Sequence, residues 1–457
     1  MSKRKHILAN AFHYAAPSQY WAGMWSHPRS EEIHYSDLRY WTELAKTAER
    51  GLLDGIFIAD SIGIKEVYGG SPAAVLKSGA MSPNNDPFMA VSAMALVTEH
   101  LGFGITANTI FEPPYLLARR FSTLDHYTKG RIAWNIVTGA LDTAPQAMGA
   151  DRLLPHDERY DAADEYMELM YKLWEGSWED GAVLKDKKRK IYADPAKVHK
   201  IVHQGKYFKC TGVHSSEPSP QRTPLLFSAG ASGRGIAFAA KHAECVFIST
   251  NDRKRIRYKV IQFREGMKKT GRDPHDLAIF LAVTIITSPT EAEARDLYLE
   301  YAQYNNPIGN LGIMAGLTGI DFSKYDLDEP ITNIRSNAIQ SVADALAESG
   351  RPVTVRDLAK LGRNPGGVEF IVGSVQQVCD ELMRLVEETG IDGLNLVRTV
   401  EPEGLRSFVD LVVPELQNRD AYKTAYAEGT LREKLFPHTK GRLPDQHPAA
   451  RYRGMHE

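Results

Sequence analysis

Eight short apolar, β-branched runs punctuate the chain, at 7–12 (ILANAF), 53–59 (LDGIFIA), 101–106 (LGFGIT), 131–137 (RIAWNIV), 224–228 (PLLFS), 244–249 (ECVFIS), 278–285 (AIFLAVTI) and 393–397 (GLNLV). Between most of them lie helical patterns, at 36–50, 87–99, 114–126, 157–174, 234–242 and 374–389. Strands that alternate with helices form parallel βαβ units, and eight such units are the count of a closed (β/α)8, TIM-like barrel. The other arrangement open to this pattern is a doubly wound open sheet. Against it, no strand runs into a G-x-G-x-x-G turn with an acidic residue at the right distance.

A chain of 457 residues has room for two or three domains, yet α/β barrels often run this long as one unit. The spacing predicts one barrel over 1–435 with insertions near 61–86, 175–222 and 286–370, followed by a loosely held tail at 436–457. The middle insertion carries KDKKRK at 185–190, expected as a solvated hairpin or loop. In the last insertion, 305–325 combines Gly309, Gly312, Gly316 and Gly319 with Leu311, Ile313, Met314 and Leu317. That composition suits a hinged, mobile lid over the barrel mouth.

With 55 Lys+Arg against 57 Asp+Glu the formal net charge is −2, and no basic stripe interleaved with aromatics marks a nucleic-acid partner. Cys210, Cys245 and Cys379 are too few and too scattered for a disulfide framework, which fits a reducing cytoplasm. No run of about 18 apolar residues predicts a membrane span. The basic start MSKRKHILANAF lacks a signal-peptide core because Asn10 and His13 interrupt it, so no export is expected.

Chemistry concentrates at the strand ends. After strand 224–228 the chain passes through Gly230, Ala231, Ser232, Gly233 and Gly235 into a helix. Such a turn aims backbone N–H groups and the positive helix end at one spot, where a phosphate fits; a tight turn needing glycine alone would read the same way. In LLPHDERY, His156 and Tyr160 stand four apart on one helix face. They either donate to a phosphate or ring edge, or serve as a helix cap and a core residue. Asp60 ends strand 2, Thr106 and Ala107 end strand 3, and Asn135 and Thr138 end strand 4. Together these small polar groups suggest a polar heterocycle lying on the mouth, although each alone could be a satisfied core position. His199 and His203 have helical spacing in a segment that reads as extended, so no metal site is expected. The nucleophile elbow of a serine hydrolase is missing, and Asp157 and Glu158 read as helix-start acids rather than a glycosidase pair.

Six segments then carry a resemblance: FIAD at 57–60, TEHLGFG at 98–104, PPYLLARRFSTLDHYTKGRIAWNIVTG at 113–139, HDERYDAADEYMELMYKLWEGSWEDGAV at 156–183, HQGKYFKCTG at 203–212 and SPQRTPLLFSAGASGRG at 219–235. The chain resembles the bacterial luciferase-like flavin monooxygenases. Its branch is that of nitrilotriacetate monooxygenase component A, dibenzothiophene-sulfone monooxygenase and the dimethylsulfide monooxygenase large subunit, the last being most alike. The resemblance implies reduced FMN (FMNH2) bound at the mouth, O2 as co-substrate, and a C4a-(hydro)peroxide that passes one oxygen atom to a small organic substrate, an organosulfur compound such as a dialkyl sulfide. NAD(P)H would be used only by a partner NAD(P)H:FMN oxidoreductase, and the chain would be a homo-oligomer, dimer or tetramer. Asp60, Thr106, His156, Tyr160, Ala231 and Ser232 match the family's FMN contacts, with Asn135 beside the ring. His13 and His27 are the candidates to manage the peroxide proton, and Phe12, Tyr14, Trp21 and Trp25 to wall the substrate pocket. Where some relatives have a histidine in the strand-1 loop, this chain has Gln19, Tyr20 and Trp21. The same chemistry on an amine, a polyaminocarboxylate or a haloaromatic is an alternative. So is a flavin- or F420-binding reductase or a nonenzymatic member of the superfamily.

Overall fold

The computed structural model describes residues 5–139, 141, 143–230, 232–331, 354–360 and 368–454. Eight parallel strands form a ring: β1 (Leu8–Tyr14), β2 (Gly55–Ala59), β3 (Gly102–Asn108), β4 (Ile132–Val137), β5 (Leu225–Ser228), β6 (Cys245–Ile248), β7 (Ala278–Ser288) and β8 (Gly393–Val397). Each pairs with its neighbours in that order, and β8 closes the ring on β1 with Leu8 opposite Gly393 and Phe12 opposite Val397. An open sheet is thereby excluded. All eight strands lie where the apolar runs predicted them, within a few residues at their ends.

Alternation along the strands sorts side chains into two cores. Leu8, Phe12, Phe57, Ala133, Leu225, Phe227, Phe247 and Phe280 fill the interior, whereas Ala9, Ala11, Ile56, Ile58, Ile105 and Trp134 face the surrounding helices. The helix Leu38–Arg50 shows how the outer layer forms. Asp37 caps it by accepting from Arg39 N, and Trp41, Leu44, Ala45 and Ala48 bury one stripe against the strands.

The insertions have structure of their own. Residues 175–222 include two antiparallel hairpins, Val183–Asp186 with Ile191–Ala193 and Ile201–Gln204 with Lys209–Gly212, and the KDKKRK run spans the first turn. A ninth strand, Glu369–Ser374, pairs with the far end of β7 outside the ring. The expected lid is corrected in part. Pro307–Thr318 is a helix, and Gly309, Gly312 and Gly316 are contact points rather than hinges: a Cβ on them would fall 2.4, 2.8 and 2.6 Å from Ser78, Val75 and Lys65. The parts of this insertion at 332–353 and 361–367 lie outside the described residues. Among the described residues no helix is long and apolar enough to cross a membrane.

The tail is also corrected. The short helix Leu431–Leu435 plugs the bottom of the barrel, with Leu431, Leu435 and Phe436 in the interior core, and Leu443, Ala449 and Tyr452 are buried further on. Arg442 and Arg453 both meet the buried Glu175, at 2.9 and 2.8 Å. Arg432 is fully buried; its guanidinium donates to both Glu244 oxygens at 2.7 and 3.0 Å, and to the carbonyls of Thr223, Pro224 and Gly441. Removing one partner of such a pair strands the other charge, at a cost of about 3–5 kcal/mol. Arg432→Ala should lose that much in urea unfolding. A loss below about 1 kcal/mol, as for an exposed pair, would show that the plug is held by its apolar contacts alone.

Candidate active site

A cavity of about 560 Å³ opens at the C-terminal face of the barrel, the end where the ends of β2, β3, β4 and β5 meet. That volume falls within the range of about 300–1,000 Å³ usual for small-molecule and cofactor sites.

One end of it is a cradle between β5 and the helix Gly233–His242. Tyr160 reaches in from the helix His156–Tyr171, and its phenol sits against the backbone of Gly230 and Gly235. A Cβ on Gly230 would lie 2.6 Å from the Tyr160 oxygen and one on Gly235 2.8 Å, so either would displace the phenol, and one on Gly235 would also meet the Gly230 backbone at 2.9 Å. Burial raises the Tyr160 phenol, opposed by Ser232, two nearby arginines and Thr138, and the hydroxyl stays protonated as a donor. Ser232 caps the helix, its Oγ accepting from Gly235 N at 3.0 Å and lying 3.4 Å from His156 Nε2. The N–H groups of the first helical turn, a serine hydroxyl and a tyrosine hydroxyl therefore converge at one place, a set of donors that could hold an anion such as a phosphate. Ala231 lies outside the described residues.

The strand ends supply the opposite wall. Thr106 Oγ1 donates to Ile58 O at 3.0 Å and accepts from Asn135 Nδ2 at 2.9 Å. Asn135 does not itself line the cavity; it holds Thr106, and its buried Oδ1 has no hydrogen-bond partner among the described residues. Ala107 and Thr138 line the wall beside it. Asp60 accepts from Asn84 Nδ2 at 2.7 Å, and burial pushes its carboxyl up to about 6. Thus Asp60, Thr106, Ala107, Thr138 and Tyr160 line one cavity, with His156 and Ser232 at its edge.

Several lining residues have no counterpart in the sequence reading: Ser61, Lys65, Asn84, Asn108 and Phe111. Asn108 follows Thr106 by two on β3 and was accessible from alternation alone. Lys65 and Asn84 come from the 61–86 insertion, where no periodicity gives direction.

The aromatic wall and the histidines need correcting. Of Phe12, Tyr14, Trp21 and Trp25, only Tyr14 lines the cavity. Phe12 points inward but lies deeper, 5.3 Å from the Phe57 ring. Trp21 packs with Tyr301 and Phe370 in a separate small core, and Trp25 covers Gly79 and donates to Ser78 O. His13 alternates to the outer side of β1, edge-on to Trp41, where burial and then Arg398 hold its imidazole well below the usual range. His27 is buried between Tyr301 and Tyr304, 3.2 Å from Glu300. Neither histidine faces the cavity, so neither is placed to give a proton to a ligand there. His199 pairs with Glu179 at 2.8 Å, and His203 lies by Glu165 and Lys172 at 3.4 and 3.1 Å.

The model of the luciferase-like monooxygenases matches residues 14–393. The chain is 48% identical to the dimethyl-sulfide monooxygenase of Hyphomicrobium sulfonivorans, covering 98% of this chain and 94% of that protein. The crystal structure of that enzyme superposes with a TM-score of 0.94, covering 98% and 96% of the two chains. The long-chain alkane monooxygenase of Geobacillus thermodenitrificans is 46% identical over 100% of this chain and 99% of its own length. A riboflavin lyase crystallised with modified FMN and riboflavin is 34% identical, with a TM-score of 0.91 over 98% of this chain and 100% of that one. The chain belongs to the luciferase-like monooxygenase family and is a flavin-dependent monooxygenase.

Proposed function

We propose that this enzyme uses reduced FMN and O2 to place one oxygen atom in a small organosulfur compound of the dialkyl sulfide type, the second oxygen leaving as water. A separate NAD(P)H:FMN oxidoreductase supplies the reduced flavin, in the cytoplasm, and the enzyme works as a dimer or tetramer. The observation that carries this reading is the phosphate cradle joined to a row of polar strand ends in one cavity. Ser232, Tyr160 and the helix start would hold the phosphate, while Thr106, Thr138 and Asp60 would meet the polar edge of the ring. When bound, reduced FMN supplies the two electrons and the oxygen-activating chemistry. The protein's share is positioning and exclusion of water. Asn135 fixes the Thr106 hydroxyl, and Phe88, Phe111, Leu141 and Leu317 give the cavity apolar walls. The sulfide preference rests on the dimethyl-sulfide monooxygenase relative; amines, polyaminocarboxylates and haloaromatics are the alternatives that substrate screening would separate.

Two outcomes test this reading. FMN should bind at least tenfold more tightly than riboflavin, and Ser232→Asp should erase the difference. Asp still caps a helix, so the loss reports charge against phosphate rather than a damaged helix. Fluorescence titration giving equal affinities for the two flavins in the parent protein would remove the phosphate site. The second outcome concerns the electron source: with NADH, FMN and dimethyl sulfide, turnover should appear only when a flavin reductase or chemically reduced FMN is added. Rapid NADH oxidation by this chain alone would refute the two-component arrangement.

A further inference from the structure

Lys65 stands in the wall of the cavity on the β2 side, three strands round the ring from the phosphate cradle. Its side chain is almost wholly enclosed, at 4% exposure. The stem lies along Gly316, where a Cβ would meet Lys65 Cγ at 2.6 Å and Cδ at 2.7 Å, so the helix Pro307–Thr318 leaves room for it. The backbone beside it is pinned by Thr143 Oγ1, which donates to Ile64 O at 2.9 Å. The position of this lysine is thus built into the fold.

Its ammonium group, however, has no hydrogen bond or ion pair among the described residues. The carboxylates that share the cavity are engaged elsewhere: Asp60 with Asn84, Asp86 with Phe88 N, and Glu112 with Arg120. Among the described lining residues Lys65 is the one cation. The helix Pro307–Thr318 and the segment Thr143–Ala147 packed beside it contribute no titratable group, and the charge acting on it comes from Asp60. Enclosing an ammonium opposed only by Asp60 is costly, and an enclosed, shifted group in a cleft marks a candidate binding residue. Burial has lowered Lys65 to about 8, with Asp60 opposing the shift, so it is charged at neutral pH and becomes neutral as pH rises above about 8.

We infer that Lys65 is a specificity-determining residue that pairs with an anionic group of the carboxylate class on the substrate, so that the compound oxygenated is an acidic thioether. This rests on the proposed monooxygenase reading of the same cavity. A negative charge there could also come from the reduced flavin ring, and the test separates the two sources.

The experiment uses the full chain loaded with FMN and two probes of similar size, (methylthio)acetate and (methylthio)acetamide. Calorimetry measures binding, and reductase-coupled turnover measures KM and kcat. At pH 7 the acid should bind at least tenfold more tightly than the amide. The preference should fade above about pH 8 as Lys65 loses its proton. Lys65→Met should cost the acid at least tenfold in Kd and KM while leaving the amide and FMN unchanged, and Lys65→Arg should restore most of the preference. Equal binding of acid and amide by the parent protein overturns the inference without recourse to any variant. So does a Lys65→Met protein that weakens reduced-FMN binding but keeps the acid preference, which would assign the charge to the flavin. If the acid is preferred in binding but neither probe is oxygenated with reduced FMN, the recognition stands and the proposed function fails.

Discussion

Closing eight parallel strands into a ring sends alternate side chains inward, and that alternation decides which residues at the strand ends can meet a ligand. On β1, Phe12 belongs to the interior and Tyr14 to the cavity above it, while Ala9, Ala11 and the buried His13 between them face the helices. The interior is filled by aromatic rings: Phe57 and Phe247 lie 4.2 Å apart, and Phe227 stacks on Phe247 at 5.2 Å. Each fully buried ring is worth about 1.5–3 kcal/mol of apolar burial. The rings fill the interior of the ring, and Leu431 and Arg432 close its lower end.

Glycines do the opposite task at the rim, bringing backbones together. Gly230 and Gly235 admit the Tyr160 phenol between strand and helix, and Gly316 admits the Lys65 stem. In both places the missing side chain makes space for a polar one. The glycine-rich helix Pro307–Thr318 therefore acts as a fitted wall: Gly309 and Gly312 let it press onto Ser78 and Val75, and Gly316 and Leu317 face the cavity.

These differences mark what was legible in the sequence. The eight strands, the helices between them and the turn after β5 are local patterns, carried by periodicity and by glycine and serine placed at a helix start. Asp60, Thr106, Ala107, Thr138 and Tyr160 could be read because a residue at the C-terminal end of a barrel strand, or on the helix beside the turn, has few places to go. His13 shows that position along a strand directs a side chain only through its parity: counting outward from Leu8 and Phe12 turns it away from the mouth. Trp21, Trp25 and His27 lie in a loop that folds over the far insertion, where Trp21 meets Tyr301 from a segment 280 residues later in the chain, and no local pattern encodes that meeting. Glycine spacing in 305–325 fits a hinge and a close-packed helix equally, and only the neighbours Ser78, Val75 and Lys65 decide between them.

Charge is distributed with the same asymmetry as packing. Behind β1, outside the ring, the fully buried Arg398 guanidinium lies 2.9 Å from Glu32 and donates to the carbonyls of Tyr14 and Ala16 at 3.1 and 2.6 Å. Burial pushes up both Glu32, to about 7, and a second buried carboxyl, Glu401, to about 8, while Arg398 opposes each shift. Arg398 thereby holds the end of β1, from which Tyr14 enters the cavity. Arg432 with Glu244 at the bottom of the barrel is a second buried pair. Lys65 differs from both arginines in where it stands: it lines the cavity, the charge that acts on it there is Asp60, and an anion that arrives with the ligand would lie within its reach.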